Sequence, residues 1–142
     1  ETIPKNEAGT EVIRLLREGH LVGILIDQSP RSNAVPTTFF GKPCWTTIAP
    51  VMVAVRARMP IHPVSIFRDE KTGRYTIYGH PALEMTRTNN LRQDIVDNTQ
   101  RCQDFFEQLV RAHPEQWLWL HRRWKSRDRL QQEWDAKILK DH

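Results

Sequence analysis

Two cysteines in 142 residues, Cys44 and Cys102, are too few for a disulfide framework and lack the spacing of zinc ligands. Both read as reduced, partly buried thiols, and Cys102 falls on an apolar helical stripe where a small hydrophobe suffices. Long hydrophobic runs are also missing. The longest, Leu21 to Ile26, has the length of a strand and falls far short of the roughly eighteen residues that a spanning helix needs. No charged-then-apolar leader opens the chain. It begins Glu1-Thr2-Ile3-Pro4, without Met, which reads as a piece of a longer protein. No histidine heads an acid five residues later: Leu25, Phe67, Met85, Leu118 and Ser126 stand at that offset after His20, His62, His80, His113 and His121. A Gly-x-Ser-x-Gly elbow, a phosphate-binding Gly-Lys loop and paired metal-ligand motifs are absent too. The sequence therefore carries no complete catalytic set, and it calls for no metal or organic cofactor.

What is present suits one compact domain over residues 1–142. Apolar residues make up 39% of the chain and charged residues 27%, which excludes global disorder and supports a real core. The net charge of +4 is concentrated: residues 111–129 hold six Arg or Lys and two acids, so the remainder sums to zero. Such a patch points to an anionic partner, whether lipid headgroups, a phosphorylated substrate or nucleic acid.

Apolar spacing predicts a helix over residues 6–18, with Val12, Ile13, Leu15 and Leu16 on its inner face and Gly19 as its stop. Residues 20–26 read as a strand buried on both faces, ending in the polar loop 27–33. Residues 35–40 form a short extended segment that Pro36 confines to an edge. Thr46 or Thr47 would cap a helix over 48–58, with Pro50 in its first turn. An apolar strand over 61–67, a hairpin connection at 69–73 and a half-exposed strand over 74–78 follow. Asn89 or Asn90 would then cap a long helix whose apolar stripe is Leu91, Ile95, Cys102, Phe105, Phe106 and Leu109. Residues 127–142 are expected to be peripheral, with an exposed, mostly polar helix over 130–139. This order predicts an α/β fold with a mixed, mainly parallel sheet flanked by helices.

In such sheets ligands collect beyond the carboxyl ends of the strands, which singles out the loop after Ile26. Asp27 and Gln28 would stand at a pocket mouth, and Arg31 offers a fork suited to phosphate. The same residue types also make an ordinary solvated turn. At Thr46 and Thr47 simple N-capping competes with anion binding by helix-start amides. Residues 114–125, Pro-Glu-Gln-Trp-Leu-Trp-Leu-His-Arg-Arg-Trp-Lys, hold three of the five tryptophans and three strong cations. Trp with cations suits a membrane interface or a stacked, phosphate-rich ligand. Core packing of Trp117 and Trp124 is the plainer account of those two, but it leaves the cluster His121, Arg122 and Arg123 unexplained.

Several of these segments, in order, resemble the carboxyl-terminal half of the bacterial lipid A (lipopolysaccharide) biosynthesis acyltransferases, the lauroyl and myristoyl transferases. They are the strand ending in Asp27-Gln28, Phe39-Phe40-Gly41, Thr46, Pro60-Ile61-His62-Pro63-Val64 and the long motif over 114–125. The resemblance covers about Gly9 to Arg127. It departs from the family at Ala49, where many members have glycine, and at His62. It implies a glycerolipid-acyltransferase-like fold, present here as an incomplete, carboxyl-terminal half. It also implies fatty acyl transfer from an acyl carrier protein thioester, the co-substrate, to a hydroxyl of a phosphorylated glucosamine-based lipid precursor. The expected setting is the cytoplasmic face of the inner membrane, with the membrane surface and that anionic precursor as partners and no nucleic acid. The histidine base and its acid, which the resemblance assigns to a preceding half, are not in this chain, so no catalytic residue is expected here. Asp27, Gln28, Arg31, Arg122 and Arg123 are the expected substrate-binding residues. An acyltransferase for a mannosylated phosphoinositide is the alternative within the family. A non-enzymatic basic module for membranes or nucleic acid is the rival class, weakened by the short patch and the lack of a nucleic-acid-binding motif.

Overall fold

The computed structural model describes residues 8–138. Helix α1 (Ala8–Arg17) occupies the predicted segment, apart from residues 6 and 7, which lie outside the described residues. Gly19, at φ 86°, closes it: the Gly19 N–H donates to Leu16 O and the His20 N–H to Leu15 O. This paired closure favours glycine because the left-handed conformation costs it nothing.

Strands β1 (Ala34–Phe39) and β2 (Lys42–Thr47) form an antiparallel hairpin, with Val35 opposite Thr46 and Thr37 opposite Cys44. The turn is Phe40-Gly41, both at positive φ (51° and 69°), as a tight primed hairpin turn requires. A phenylalanine rarely adopts that backbone. Here it is held by its N–H on Glu107, by edge contact with Phe39 and by the Arg111 guanidinium 4.4 Å from its ring. The sequence predicts Thr46 or Thr47 as a helix cap and assigns no element to residues 41–45. Both threonines instead end β2, Thr46 is fully buried, and α2 (Ala49–Ala57) follows Ile48. Only Thr47 touches the helix start, accepting the Ala49 N–H at 3.3 Å. Pro50 lies in the first turn as expected, and Arg58 ends α2 in the left-handed region.

Strands β3 (Val64–Arg68) and β4 (Tyr75–Gly79) form a second antiparallel hairpin through the predicted connection. In its turn the Asp69 carboxylate accepts both the N–H and the hydroxyl of Thr72, which lowers its pKa. One face of this ribbon packs toward helix α3 (Leu91–Ala112), through Phe67 on His113 and His80 on Phe105. The other face, with Val64, Ile66, Tyr75 and Ile77, is exposed.

The expected parallel sheet is not what forms. The described residues carry two separate two-stranded antiparallel hairpins among helices. Residues 20–26, read as a doubly buried strand, pair with nothing described, and Leu21 is 100% exposed. A buried strand needs neighbours on both sides to take its N–H and C=O groups and layers over both faces. No described segment supplies them to 20–26. The strand predicted at 61 begins its regular ladder only at Val64, although the Ile61 and Pro63 carbonyls accept the Leu83 and His80 N–H groups.

Helix α3 starts where Asn90 accepts the Gln93 N–H at 3.1 Å, the predicted cap. Its buried face is more polar than the apolar stripe suggested. Cys102 is buried, but Leu91 is exposed, and Asp94, Asn98, Thr99 and Gln103 are buried. Asn98 accepts the Thr86 N–H and donates to Thr86 O, both at 2.8 Å. Asp94 accepts the Thr88 N–H and hydroxyl. These side chains take the place of a neighbouring strand for an extended segment lying along the helix. After α3 a single 3-10 turn (Pro114–Gln116) leads into irregular chain, and α4 (Asp128–Ile138) closes the described residues. It is anchored by buried Leu130; residue 139 of the predicted helix lies outside the described residues.

The core forms around Phe39. Its ring is stacked between Phe106 (5.3 Å) and Trp124 (5.6 Å) and meets the edge of Trp117, with Cys44 and Val110 alongside. Trp124 also donates its indole N–H to Phe39 O at 3.1 Å. Two tryptophans of the 114–125 motif are thus core residues, as their plainer account held.

Candidate functional site

The sequence singles out a loop near the start of the chain and a basic motif near its end, and folding joins them. The junction is Ser29. Its N–H donates to His121 Nε2 at 3.0 Å, its hydroxyl accepts from Arg127 Nε at 3.2 Å, and its carbonyl accepts from Arg127 Nη2 at 3.0 Å. All three polar groups of Ser29 are therefore held by the 121–127 segment. Because a backbone amide can only donate, His121 Nε2 must be unprotonated and the ring proton must sit on Nδ1.

Arg123, expected at a phosphate, is turned inward. It is 0% exposed. Nη1 donates to Trp45 O at 2.6 Å, and Nη2 donates to Thr46 Oγ1 at 2.6 Å and to Gln103 Oε1. The guanidinium also lies 5.7 Å from the centre of the Phe39 ring. Burial draws its pKa below the usual guanidinium value, while electrostatic interactions with Cys44 and Asp27 oppose that shift. The cation is tolerable there because a carbonyl, a hydroxyl and an amide oxygen converge on it. Thr46 passes the network on to Thr37, whose hydroxyl lies 2.7 Å from that of Thr46 and 3.3 Å from Cys44 Sγ. Arg123 therefore acts as an internal tie among β2, α3 and the closing motif, with no face turned to a ligand.

Asp27 is half-buried at the start of the joined loop. Among the described residues its Oδ1, shielded from solvent, has no hydrogen-bond partner, and Arg123 Nε is a shielded donor without one. Gln28, Arg31 and Arg122 are exposed, with no side-chain hydrogen bond or ion pair recorded among the described residues. The structure thus brings Asp27, Ser29, His121, Arg123 and Arg127 into one assembly and leaves Arg31 and Arg122 free at the surface.

Sequence reasoning missed Ser29, Gln103 and Arg127. Gln103 did leave a signal, a glutamine beside Cys102 on a helix face expected to be buried. Ser29 left none, since serine is ordinary in a loop. Neither cysteine is a nucleophile of this site. Burial pushes the Cys102 thiol up to about 11, and Cys44 is buried against Thr37. Among the described residues no group of three or more His, Cys, Asp or Glu could hold a metal, and no helix is long and apolar enough to cross a membrane.

Residues 1–126 match the bacterial lipid A biosynthesis acyltransferase family, and the chain belongs to that family. It is also similar to the phosphatidylinositol mannoside acyltransferase of two Mycobacterium tuberculosis strains, CDC 1551/Oshkosh and ATCC 25618/H37Rv. Identity to each is 27% over 109 residues, which is 77% of this chain and 32% of the relative. The chain spans about a third of the length of these curated relatives.

Proposed function

We propose that this chain is the acceptor-side portion of an acyltransferase acting on a phosphorylated, glucosamine-based lipid of the lipid A type. The donor is a fatty acyl thioester on acyl carrier protein. The acceptor hydroxyl attacks the thioester carbonyl, a C–O bond forms, the C–S bond breaks, and the hydroxyl proton leaves with the thiol. The general base belongs to a His-x-x-x-x-Asp/Glu pair that this chain does not contain. Asp27 orients the acceptor hydroxyl, and Gln28 adds a donor and an acceptor beside it. Arg31 and Arg122 pair with phosphate. Arg123 takes no part in binding and keeps the site's floor in place.

The observation that carries this reading is Asp27 Oδ1, without a hydrogen-bond partner among the described residues, in a loop that His121 of the 114–125 motif and the nearby Arg127 secure through Ser29. The anionic membrane surface at the cytoplasmic face of the inner membrane is the proposed partner. In support, Leu118 and Leu120 are 67% and 90% exposed, beside exposed Arg122 and Lys125. A second reading, with a mannosylated phosphoinositide as acceptor, is favoured by the name of the mycobacterial relatives.

Acyl carrier protein thioester supplied to the full-length enzyme with each acceptor in turn tests both readings. Transfer to the glucosamine lipid at least tenfold faster than to the mannosylated one supports the first, and the reverse order supports the second. Asp27→Ala should cut transfer about a hundredfold or more, the scale of a lost acid–base or orienting group, with the melting temperature nearly unchanged. An equal loss of stability would make Asp27 a structural turn residue.

A further inference from the structure

Between Leu21 and Arg31 the chain has no strand ladder, and among the described residues its recorded hydrogen bonds fall only on Ser29. Ser29 is therefore the hydrogen-bonded anchor of the segment among the described residues, beside the partial burial of Ile26, Asp27 and Pro30. On its far side Pro30 confines Ser29 to extended backbone, so that fixing Ser29 also fixes the direction of the peptide before it. The attachment comes from two residues that flank Arg123 in sequence, His121 and Arg127. Arg123 itself is bound to β2 and α3, so the clamp rests on the core.

We propose that His121 is a positioning residue, with Arg127 as its companion: by accepting the Ser29 N–H it holds the Asp27-Gln28 turn against the buried Arg123. This deepens the acyltransferase reading and rests on it for the role of Asp27. The mode of action follows from the chemistry of the ring. The imidazole acts as a neutral acceptor through Nε2, so a residue that keeps an acceptor at that reach should substitute, whereas an aromatic ring without one should not. Phenylalanine keeps a flat ring in place of His121 and deletes both the Nε2 acceptor and the Nδ1–H. Glutamine supplies a carbonyl oxygen and no ring. A role in packing alone predicts the opposite order.

The full-length enzyme, with histidine and backbone nitrogens labelled, tests the clamp by NMR. In the wild type, the ring nitrogens of His121 should report the Nδ1–H tautomer with Nε2 as acceptor, and the Ser29 amide should be protected from hydrogen exchange. In His121→Phe, Ser29 protection should fall about five- to tenfold, the size of one net hydrogen bond. The amides of Cys102 and Val110, in the middle and last turns of α3, should keep theirs. His121→Gln should recover most of the Ser29 protection. Unchanged Ser29 exchange in His121→Phe overturns the proposal, and so does a loss spread equally over Cys102 and Val110, which marks a packing role.

The functional arm uses the full-length enzyme. His121→Phe should lower kcat for acyl transfer about tenfold or more at an unchanged melting temperature, and His121→Gln should recover it. Released exchange at Ser29 with normal transfer overturns the positioning role. The underlying reading fails separately: if Asp27→Ala transfers normally, Asp27 is not a site residue, while the exchange result still decides whether the clamp exists.

Discussion

Arg123 donates from Nη2 to Thr46 Oγ1 at 2.6 Å, tying the closing motif of the chain to a strand 77 positions earlier. The bond lies in full burial on both sides and shares its donor nitrogen with Gln103. Two features that look alike in sequence, a motif arginine and its neighbour Arg122, thus have opposite placements. One is a core tie and the other an exposed cation.

Arg123 predicts a stability effect that charge alone does not explain. Lysine has no fork and cannot meet a carbonyl, a hydroxyl and an amide at once. Arg123→Lys should cost about 2 kcal/mol and Arg123→Met about 3 kcal/mol or more, since methionine leaves the Trp45 carbonyl without this donor and removes one of the partners of Thr46 and Gln103. Urea unfolding of both variants checks this. Wild-type midpoints would mean that the network is replaceable by water.

Arg122 predicts the reverse. It is exposed and should be dispensable for folding. In the full-length enzyme Arg122→Lys should reduce acceptor specificity roughly ten- to a hundredfold if the guanidinium grips phosphate through two parallel bonds. If it only attracts the membrane, lysine should serve, and raised salt should weaken both proteins alike. Acceptor kinetics at two salt concentrations separate these outcomes, and Arg31→Lys should behave in the same way.

Asn98 is fully buried and serves the N–H and the carbonyl of Thr86 together. Asn98→Ala should cost about 1–2 kcal/mol by removing both partners of the half-buried Thr86 backbone. Hydrogen exchange should locate the damage at Thr86 and Thr88 first. Damage spread evenly over α3 would contradict this account.

The Asp69 turn predicts a local response to acid. Its carboxyl has a lowered pKa in the folded state because the Thr72 amide and hydroxyl donate to the charged form. The contribution is fully present above the unfolded carboxyl's ordinary range and is lost as pH falls through the lower folded value. Amide protection at Thr72 should therefore fade on acidification, and Asp69→Asn should show weakened protection already at neutral pH. Protection that persists in strong acid would mean that Gly73 and the ladder alone form the turn.

Much of the local structure was legible because it is satisfied within a few residues. Gly19 stops α1, Asn90 caps α3, Pro50 starts α2, and Asp69 to Gly73 turn the second hairpin, each through bonds spanning at most five positions. The phosphate-facing expectation for Arg123 failed for a related reason. A guanidinium beside two other cations reads as surface charge until the acceptors that draw it inward are known. Those acceptors are Trp45, Thr46 and Gln103, none of them near it in sequence.

By itself the sequence determined the helices, the second hairpin, the family and the two segments that carry polar chemistry, since composition and short-range spacing encode them. Tertiary structure alone decided that those segments meet at Ser29 and that Arg123 is internal. It also decided that residues 20–26 pair with no strand among the described residues and that α3 buries a polar face. Each of these outcomes depends on which distant backbone or side-chain group is within hydrogen-bonding reach. The Ser29–His121 bond spans 92 positions. No local pattern records a partner that far along the chain, and a strand or a cation takes its final environment from such partners.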